Sequence, residues 1–526
     1  MNITRSNRPI PVWFAVVIYT VMTVVVLYPI LVVQVPGLGD YLNHLARMHI
    51  LYYHPADLSR FYRIEWQPIP YLSMDAAFAV LSHLAPIYDA GRIFLGICVV
   101  LPVLSVAVLH YAVHRRLSLL PAAAFLFCQN YLLSWGFLNY LSSACLAILL
   151  FAAWFSTARW PRWIRAALFC VLATALYLCH LVAFGSYCLA VGGYELARAW
   201  RTGFRPWRAI TADWLAAGLQ AVPALLLALS VHVEPMFVGP QQVWYGDVPA
   251  KLLALESPVL FYDGRADFLA GVFAMLVLVT GLVTHHLRLA PAIWPAILAV
   301  GMAALCLPNV LLGIFGLDFR LPLVVAMLLT GAISTTPRMG RGLACAVLGG
   351  FLALTVVRSI GIANTLTAVD KQIAEFRQVV SVLPRGVRLL VVDTATGGQN
   401  QRDGPWRTTS QASMVASIDR DAFIPFLFSG VTIVHPAVPM RTSSAPGGHP
   451  PPLSDLAVGA GRTDRPGYDV ADGEGVRIYW FDWEDKFDYV LIQHFGRRPA
   501  AVPANLVLVN TSSVADLYRI DKTDRP

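Results

Sequence analysis

The chain has 526 residues, of which 57% are hydrophobic and only 13% charged, and its formal net charge is +8. Soluble domains carry about 25% charged residues, so this composition excludes an ordinary water-soluble protein and requires a bilayer around most of the chain. The positive charge does not indicate nucleic-acid binding, because the arginines lie in short loops between apolar stretches rather than on one basic face.

Apolar stretches predict about eleven transmembrane helices, since about 20 apolar residues cross a hydrocarbon core. The first stretch follows Arg5 and Arg8 and is too long for the apolar region of a signal peptide. The predicted spans are 12–33, 92–112, 118–134, 138–157, 166–182, 184–198, 212–231, 268–285, 291–307, 319–333 and 343–361. The predicted fold class is a polytopic α-helical membrane protein.

The apolar stretch 71–86 decides the topology, because it is short and contains Asp75 and His83. If it crossed the membrane, Arg115, Arg116 and the basic loop 159–165 would lie outside. If it lies in the interface, every short basic loop lies inside, which the positive-inside rule favours. Residues 34–91 then form one large extracytoplasmic loop, and the prediction is a multi-pass protein of the bacterial cytoplasmic (inner) membrane.

The tail differs in composition from the rest of the chain. Residues 386–393, 488–493 and 506–510 are short β-type runs, and 365–383 has a helical pattern. Residues 437–475 are rich in Pro, Gly and Ser, which predicts a mobile loop. We therefore expect a transmembrane domain over 1–363 and a small extracytoplasmic α/β domain over 364–526.

The segment after the first helix holds the most informative polar residues. Pro36 and Gly37 end the membrane helix, and a second helix is predicted from Asp40. At helical spacing Asp40, His44 and Arg47 share one face. Each also has a structural interpretation: Asp40 as a helix N-cap, His44 as a hydrogen-bonded core histidine, and Arg47 as a contact to lipid headgroups.

Other candidates lie at predicted outer ends of helices or in outer loops, where polar groups face a bundle interior or water. Each could be a buried structural contact, so their convergence on one face is what predicts a site. They are Arg63, Asn139, His180, Asp247, Asp318 and Arg320.

A large first outer loop, an acid directly after the first helix, interfacial helices and an extracytoplasmic C-terminal domain together resemble the GT-C superfamily, membrane glycosyltransferases that use polyprenyl-phosphate sugars. The stretch 39–44 (GDYLNH) resembles the acidic motif of that loop, and 318–320 (DFR) resembles a later Asp-x-Arg element. Several such families have two adjacent acids, whereas Tyr41 follows Asp40 here. This departure leaves open whether a divalent metal, Mg²⁺ or Mn²⁺, is a cofactor.

The resemblance implies an inverting hexosyl- or pentosyltransferase that moves a sugar from a polyprenyl-phosphate donor to a cell-envelope glycan or lipid acceptor. Transfer to a hydroxyl needs one base, and a lipid phosphate leaving group needs positive charge. We expect Asp40 to be the catalytic base. Arg47, Arg63 or Arg320 would hold the phosphate, and His44, Asn139, His180, Asp247 and Asp318 would complete the substrate site.

Two other classes of membrane protein are also compatible with the sequence. A transporter or flippase of a lipid-linked substrate would need a midplane site, often with paired broken helices, whereas the ionisable residues here gather at one membrane face. A non-catalytic envelope assembly protein would act through its tail.

Overall fold

The computed structural model describes residues 11–231, 243–262, 264–311, 314–394, 409, 411–429, 433–446, 448–458 and 479–522. The α-helices of this part are α1 (Val12–Leu31), α2 (Tyr41–Tyr53), α3 (Ser73–Leu81), α4 (Ile87–His114), α5 (Tyr131–Ser134), α6 (Leu138–Ser156), α7 (Arg162–Cys179), α8 (Leu181–Arg201), α9 (Trp207–Leu219), α10 (Val222–Ser230), α11 (Val248–Leu255), α12 (Gly264–Val283), α13 (Trp294–Cys306), α14 (Leu317–Ala332), α15 (Arg341–Val380), α16 (Val415–Arg420), α17 (Leu453–Val458) and α18 (Trp483–Lys486). The strands are β1 (Tyr62–Ile64), β2 (Leu287–Leu289), β3 (Val310–Leu311), β4 (Ile314–Phe315), β5 (Ile333–Thr335), β6 (Leu389–Asp393), β7 (Val434–Pro436), β8 (Tyr489–Gln493), β9 (Leu506–Thr511) and β10 (Ala515–Ile520).

The chain is a multi-pass helical membrane protein, as the sequence predicts. Within the described ranges, seven helical segments are long and apolar enough to cross a membrane. They are Val12–Leu31, Ile87–His114, Leu138–Ser156, Arg162–Cys179, Trp207–Ser230, Gly264–Val283 and Arg341–Val380. Two shorter apolar helical segments, Leu120–Ser134 and Trp294–Cys306, lie at other predicted spans.

The predicted span 118–134 is not one α-helix. It forms a 3₁₀-helix over Leu120–Phe127 and then the single turn α5. The side chain of Asn130 accepts a hydrogen bond from the backbone N–H of Leu133 at 3.0 Å, so it caps a new helix start. A hydropathy pattern does not reveal that one helix ends and another begins here, because both segments are apolar.

The ambiguous stretch 71–86 contains only the nine-residue helix α3. At 1.5 Å per residue this helix is about 14 Å long, roughly half of the hydrocarbon core. It is therefore too short to cross the membrane. Asn139 fixes its start, since its side-chain oxygen accepts from the backbone N–H of Met74 at 2.8 Å.

Helix α15 runs without interruption for 40 residues, about 60 Å, from the membrane part into the C-terminal domain. The boundary expected between 363 and 364 thus lies inside a helix, and the predicted tail helix is its second half. The carboxylate of Asp370 accepts from the backbone N–H groups of Gln34 (3.0 Å) and Val35 (2.9 Å), which ties this helix to the segment that follows α1.

The C-terminal domain is α/β, with a four-stranded sheet in the order β6-β8-β10-β9. β6 and β8 are parallel and the other pairs antiparallel. Three strands coincide with predicted runs, and β10 was not predicted. Of the segment 437–475, a 3₁₀-helix (Val438–Ser443) and α17 are described, while residues 447 and 459–475 lie outside the described residues, so its mobility stays a prediction.

The segment between α1 and α4 and the C-terminal domain pack as one body. β1 in this segment pairs with β7 of the domain, and the Asn43 side chain donates to the carbonyl of Phe426 at 3.0 Å. Its amide oxygen accepts from the backbone N–H of Phe428 at 2.7 Å. Buried apolar residues of both parts form one continuous core, so α2, which begins directly after Asp40, is held from two sides.

Candidate active site

Two glycines position the Asp40 backbone. The N–H groups of Gly39 and Asp40 donate to the carbonyls of Ser134 (3.0 Å) and Trp135 (2.8 Å). A Cβ on Gly39 would lie 2.6 Å from the Trp135 carbonyl oxygen. Gly136 has a φ of +77°, and a Cβ there would lie 2.7 Å from the Asp40 nitrogen. The start of α2 therefore rests directly on the turn before α6.

The Asp40 side chain does not cap the helix that it precedes. It lies at the N-cap position but makes no capping hydrogen bond, and among the described residues its carboxyl group has no hydrogen-bond partner. Burial raises the pKa of Asp40 to about 7, against the opposing effect of the Arg320 guanidinium. A carboxyl group that titrates near neutrality and keeps its lone pairs free is suited to general-base work.

Arg320, near the start of α14, is the cation beside Asp40. Its guanidinium donates to the Phe315 carbonyl at 3.2 Å and faces Nε2 of His180 at 3.5 Å. It also lies over the rings of Phe137 (5.0 Å) and Tyr140 (5.6 Å). Its Nε is buried and has no partner among the described residues. Arg320 is thus a fixed cation with unused donor capacity.

His180, between α7 and α8, supplies a second donor to the same space. Its Nδ1 accepts from the backbone N–H of Val182 at 3.1 Å, so the neutral ring carries its proton on Nε2. That N–H and the Arg320 guanidinium face each other as two donors and cannot satisfy one another. An anionic oxygen between them would accept from both. Tyr71 packs edge-on against His180 at 4.6 Å and has a φ of +83°, a strained conformation typical of functional sites.

Arg47 and His44 have other partners than Asp40. The Arg47 guanidinium forms a buried bidentate pair with Asp75, at 2.8 and 2.7 Å. The His44 ring packs against Phe428 of the C-terminal domain at 5.1 Å. Burial, aided by Arg47, lowers the pKa of His44 to about 3, so the imidazole is neutral. A phosphate contact by Arg47 would require its pair with Asp75 to open.

Asp318 is buried two residues before Arg320 and is already paired. Its carboxylate accepts from Asn309 at 2.8 Å and lies 2.9 Å from Nζ of Lys251. Asp247 caps α11 by accepting from the backbone N–H of Ala250 at 2.8 Å. Neither acid has the free carboxyl group that distinguishes Asp40.

Arg63 and Asn139 also have identified partners. Arg63 lies on β1, is 42% exposed and pairs with Glu65 at 3.0 Å. Asn139 contacts the start of α3, where its side-chain oxygen also accepts a hydrogen bond from the Ser73 hydroxyl at 3.3 Å. The structure therefore groups Asp40, His180 and Arg320 and gives the other predicted residues separate contacts.

Sequence reasoning missed Tyr71, Tyr140 and Lys251. A sequence signal does mark Lys251, because it is the only lysine among residues 1–363 and lies in a predicted outer loop. No sequence feature marks Tyr71 or Tyr140, because an aromatic residue near a helix end is common at a membrane interface.

The described residues do not fit a carboxylate-bound divalent metal. None of their His, Cys, Asp and Glu side chains form a group of three or more that could hold an ion. Asp40 has an arginine as its charged neighbour instead of a second acid.

The fold and the site together define a multi-pass membrane protein with a free carboxyl group beside a fixed cation at one end of its helical bundle. Its structure is similar to that of ArnT from Cupriavidus metallidurans bound to undecaprenyl phosphate, with a TM-score of 0.54 and 12% identity over 98% of this chain and 100% of that one. The apo ArnT structure matches with a TM-score of 0.53 and 13% identity, over 97% and 98%.

The mycobacterial arabinofuranosyltransferase AftD also matches, with a TM-score of 0.47 and 16% identity over 98% of this chain and 40% of AftD. No protein-family model matches the sequence, and a comparison with curated proteins finds no match either. At 12–13% identity, the likeness to ArnT shows that the two chains share a fold.

Proposed function

We propose that the protein is a membrane glycosyltransferase that transfers a sugar from a polyprenyl-phosphate donor to a cell-envelope glycan or lipid at the extracytoplasmic face. The observation that carries this proposal is the half-buried Asp40 carboxyl group, which has no hydrogen-bond partner among the described residues and lies beside Arg320. The likeness to ArnT, solved with undecaprenyl phosphate bound, supports a polyprenyl-phosphate ligand.

The reaction is a single displacement. The carboxylate of Asp40 takes the proton of the acceptor hydroxyl as that oxygen attacks the anomeric carbon. The bond from this carbon to the phosphate oxygen breaks, and the polyprenyl phosphate leaves with the bonding electrons. Arg320 and Nε2–H of His180 stabilise the charge on the departing phosphate. One displacement inverts the anomeric configuration.

A phosphate leaving group explains why one acid suffices. Hydrolysis of an ordinary glycoside uses a second carboxyl group to protonate a poor leaving group. Here the leaving group is already a stabilised anion, so it needs a cation instead. The other acids predicted from the sequence, Asp318 and Asp247, are engaged in a salt bridge and a helix cap.

The test is transfer of labelled sugar by the purified protein in lipid nanodiscs, with a panel of polyprenyl-phosphate hexoses and pentoses and an envelope extract as acceptor. We expect a labelled product with inverted anomeric configuration. Movement of labelled lipid across proteoliposomes without any transfer would instead identify a flippase. Absence of both, together with co-purifying envelope proteins, would favour an assembly role.

A further inference from the structure

The opposite end of the bundle holds a second polar site. A cavity of about 300 Å³ lies where α8 ends and α9 begins. In the topology argued above this corner is cytoplasmic, far along the helices from Asp40. Its lining includes Arg198, Arg201, Arg205, Glu195 and Asp213.

The acids of this cavity are already neutralised. Glu195 accepts from Arg198 at 2.7 Å and from the buried indole N–H of Trp154 at 2.9 Å. Asp213 pairs with Arg198 at 3.2 Å and with Arg162. Three arginines therefore surround two carboxylates, counting Arg165, which lies 3.8 Å from Glu195. This network forms a fixed wall.

Two arginines of the lining remain without a carboxylate. Within the described part of the chain, neither Arg201 nor Arg205 forms an ion pair. Arg201 is the last residue of α8 and Arg205 lies in the turn before α9, so the two bring uncompensated positive charges to the mouth of the cavity. A cavity with neutralised acids on one side and two free guanidinium groups at its opening favours an anionic ligand.

The surroundings identify where that anion comes from. Trp200, Trp207 and Trp214 are exposed by 72%, 66% and 47%, and exposed Trp side chains of membrane proteins lie at the level of lipid headgroups. Leu215 and Leu219 continue an exposed apolar face along α9, toward the acyl chains. The cavity volume is at the lower end for small-molecule sites, which suits a headgroup rather than a whole lipid.

We infer that this corner binds the phosphodiester headgroup of an anionic phospholipid of the cytoplasmic leaflet. Arg201 and Arg205 contact the phosphate, the Glu195–Arg198–Asp213 network holds the cavity open, and the acyl chains lie along α9. Basic pockets between transmembrane helices on the cytoplasmic side are suited to such headgroups. The inference uses the proposed topology but not the proposed transfer reaction.

The experiment measures lipid binding to the full-length protein in detergent by native mass spectrometry, with phosphatidylglycerol and phosphatidylcholine of identical acyl chains. We expect wild type to prefer phosphatidylglycerol. The double variant Arg201→Gln/Arg205→Gln should bind it about 30-fold more weakly. Arg201→Lys/Arg205→Lys should keep most of the binding, which shows that a loss in the Gln variant reflects charge rather than misfolding.

The matched control is Arg115→Gln/Arg116→Gln, which removes the same charge from another cytoplasmic loop and should leave the preference unchanged. An equal loss in the control would mean diffuse surface attraction and overturn the site. So would wild type without a preference, or an unchanged Gln variant. Displacement of the lipid by inorganic phosphate at equal concentration would identify a free-phosphate site instead.

Discussion

Replacing Asp40 with Asn separates a catalytic role from a structural one. Asn keeps the size of the side chain, and Asp40 makes no capping hydrogen bond that could be lost. General-base catalysis is worth roughly 10²–10⁴-fold, or about 3–5 kcal/mol of transition-state stabilisation. We therefore expect sugar transfer by Asp40→Asn to fall by that factor.

Stability should change in the opposite direction. The folded pKa of Asp40, about 7, lies above its ordinary value of 3.8, so the folded state loses stability relative to the unfolded chain as pH rises from about 4 to 7. An uncharged asparagine at this position carries no such penalty. Above pH 7 the Asn variant should be at least as stable as wild type, by an amount below roughly 4 kcal/mol, because the carboxyl group keeps some contact with solvent.

The assay is transfer of labelled sugar by purified variants, with thermal unfolding of the same samples at pH 5 and pH 8. Asp89→Asn is the matched control, since it removes a half-exposed carboxylate from the first turn of α4, where its partner is Arg92 on the same helix. Turnover near wild type in Asp40→Asn would refute the assignment. A variant that is both inactive and markedly less stable would show that Asp40 acts structurally.

The remaining predictions concern the cation, pH and topology. Arg320→Ala should lower activity with the lipid donor by about 10-fold or more without loss of folding, and Arg320→Lys should recover only part of that activity, because Lys lacks the planar guanidinium. Equal kinetics in wild type and both variants would remove Arg320 from the phosphate site. Arg47→Ala should lower the free energy of unfolding by about 3–5 kcal/mol, because it leaves the Asp75 carboxylate buried and unpaired. A change in donor KM at unchanged stability would instead favour a phosphate role for Arg47. The rate of transfer should rise as pH increases through about 7, where Asp40 loses its proton, and a pH-independent rate would contradict the general base. A periplasm-specific reporter fused after residue 364 should be active, and activity of a cytoplasm-specific reporter there would invert the topology.

Composition and hydropathy were sufficient to predict the class of fold. A long apolar stretch has no stable place in water, so its length predicts a crossing helix, and the loop arginines predict an orientation. The three predicted β-runs of the tail are strands for a similarly local reason, since short apolar runs bounded by turn residues suit a buried sheet. The sequence marks Asp40 as a candidate because it follows the first membrane helix and shares a helical face with His44 and Arg47.

The partners of those residues were decided only by the tertiary structure. Helical spacing put Asp40, His44 and Arg47 on one face, but spacing says nothing about what packs against that face. Arg47 found Asp75, 28 positions away, and the cation beside Asp40 came from α14, 280 positions away. Side-chain pairing depends on how distant elements converge, and this convergence placed the free carboxyl group of Asp40 beside the buried guanidinium of Arg320.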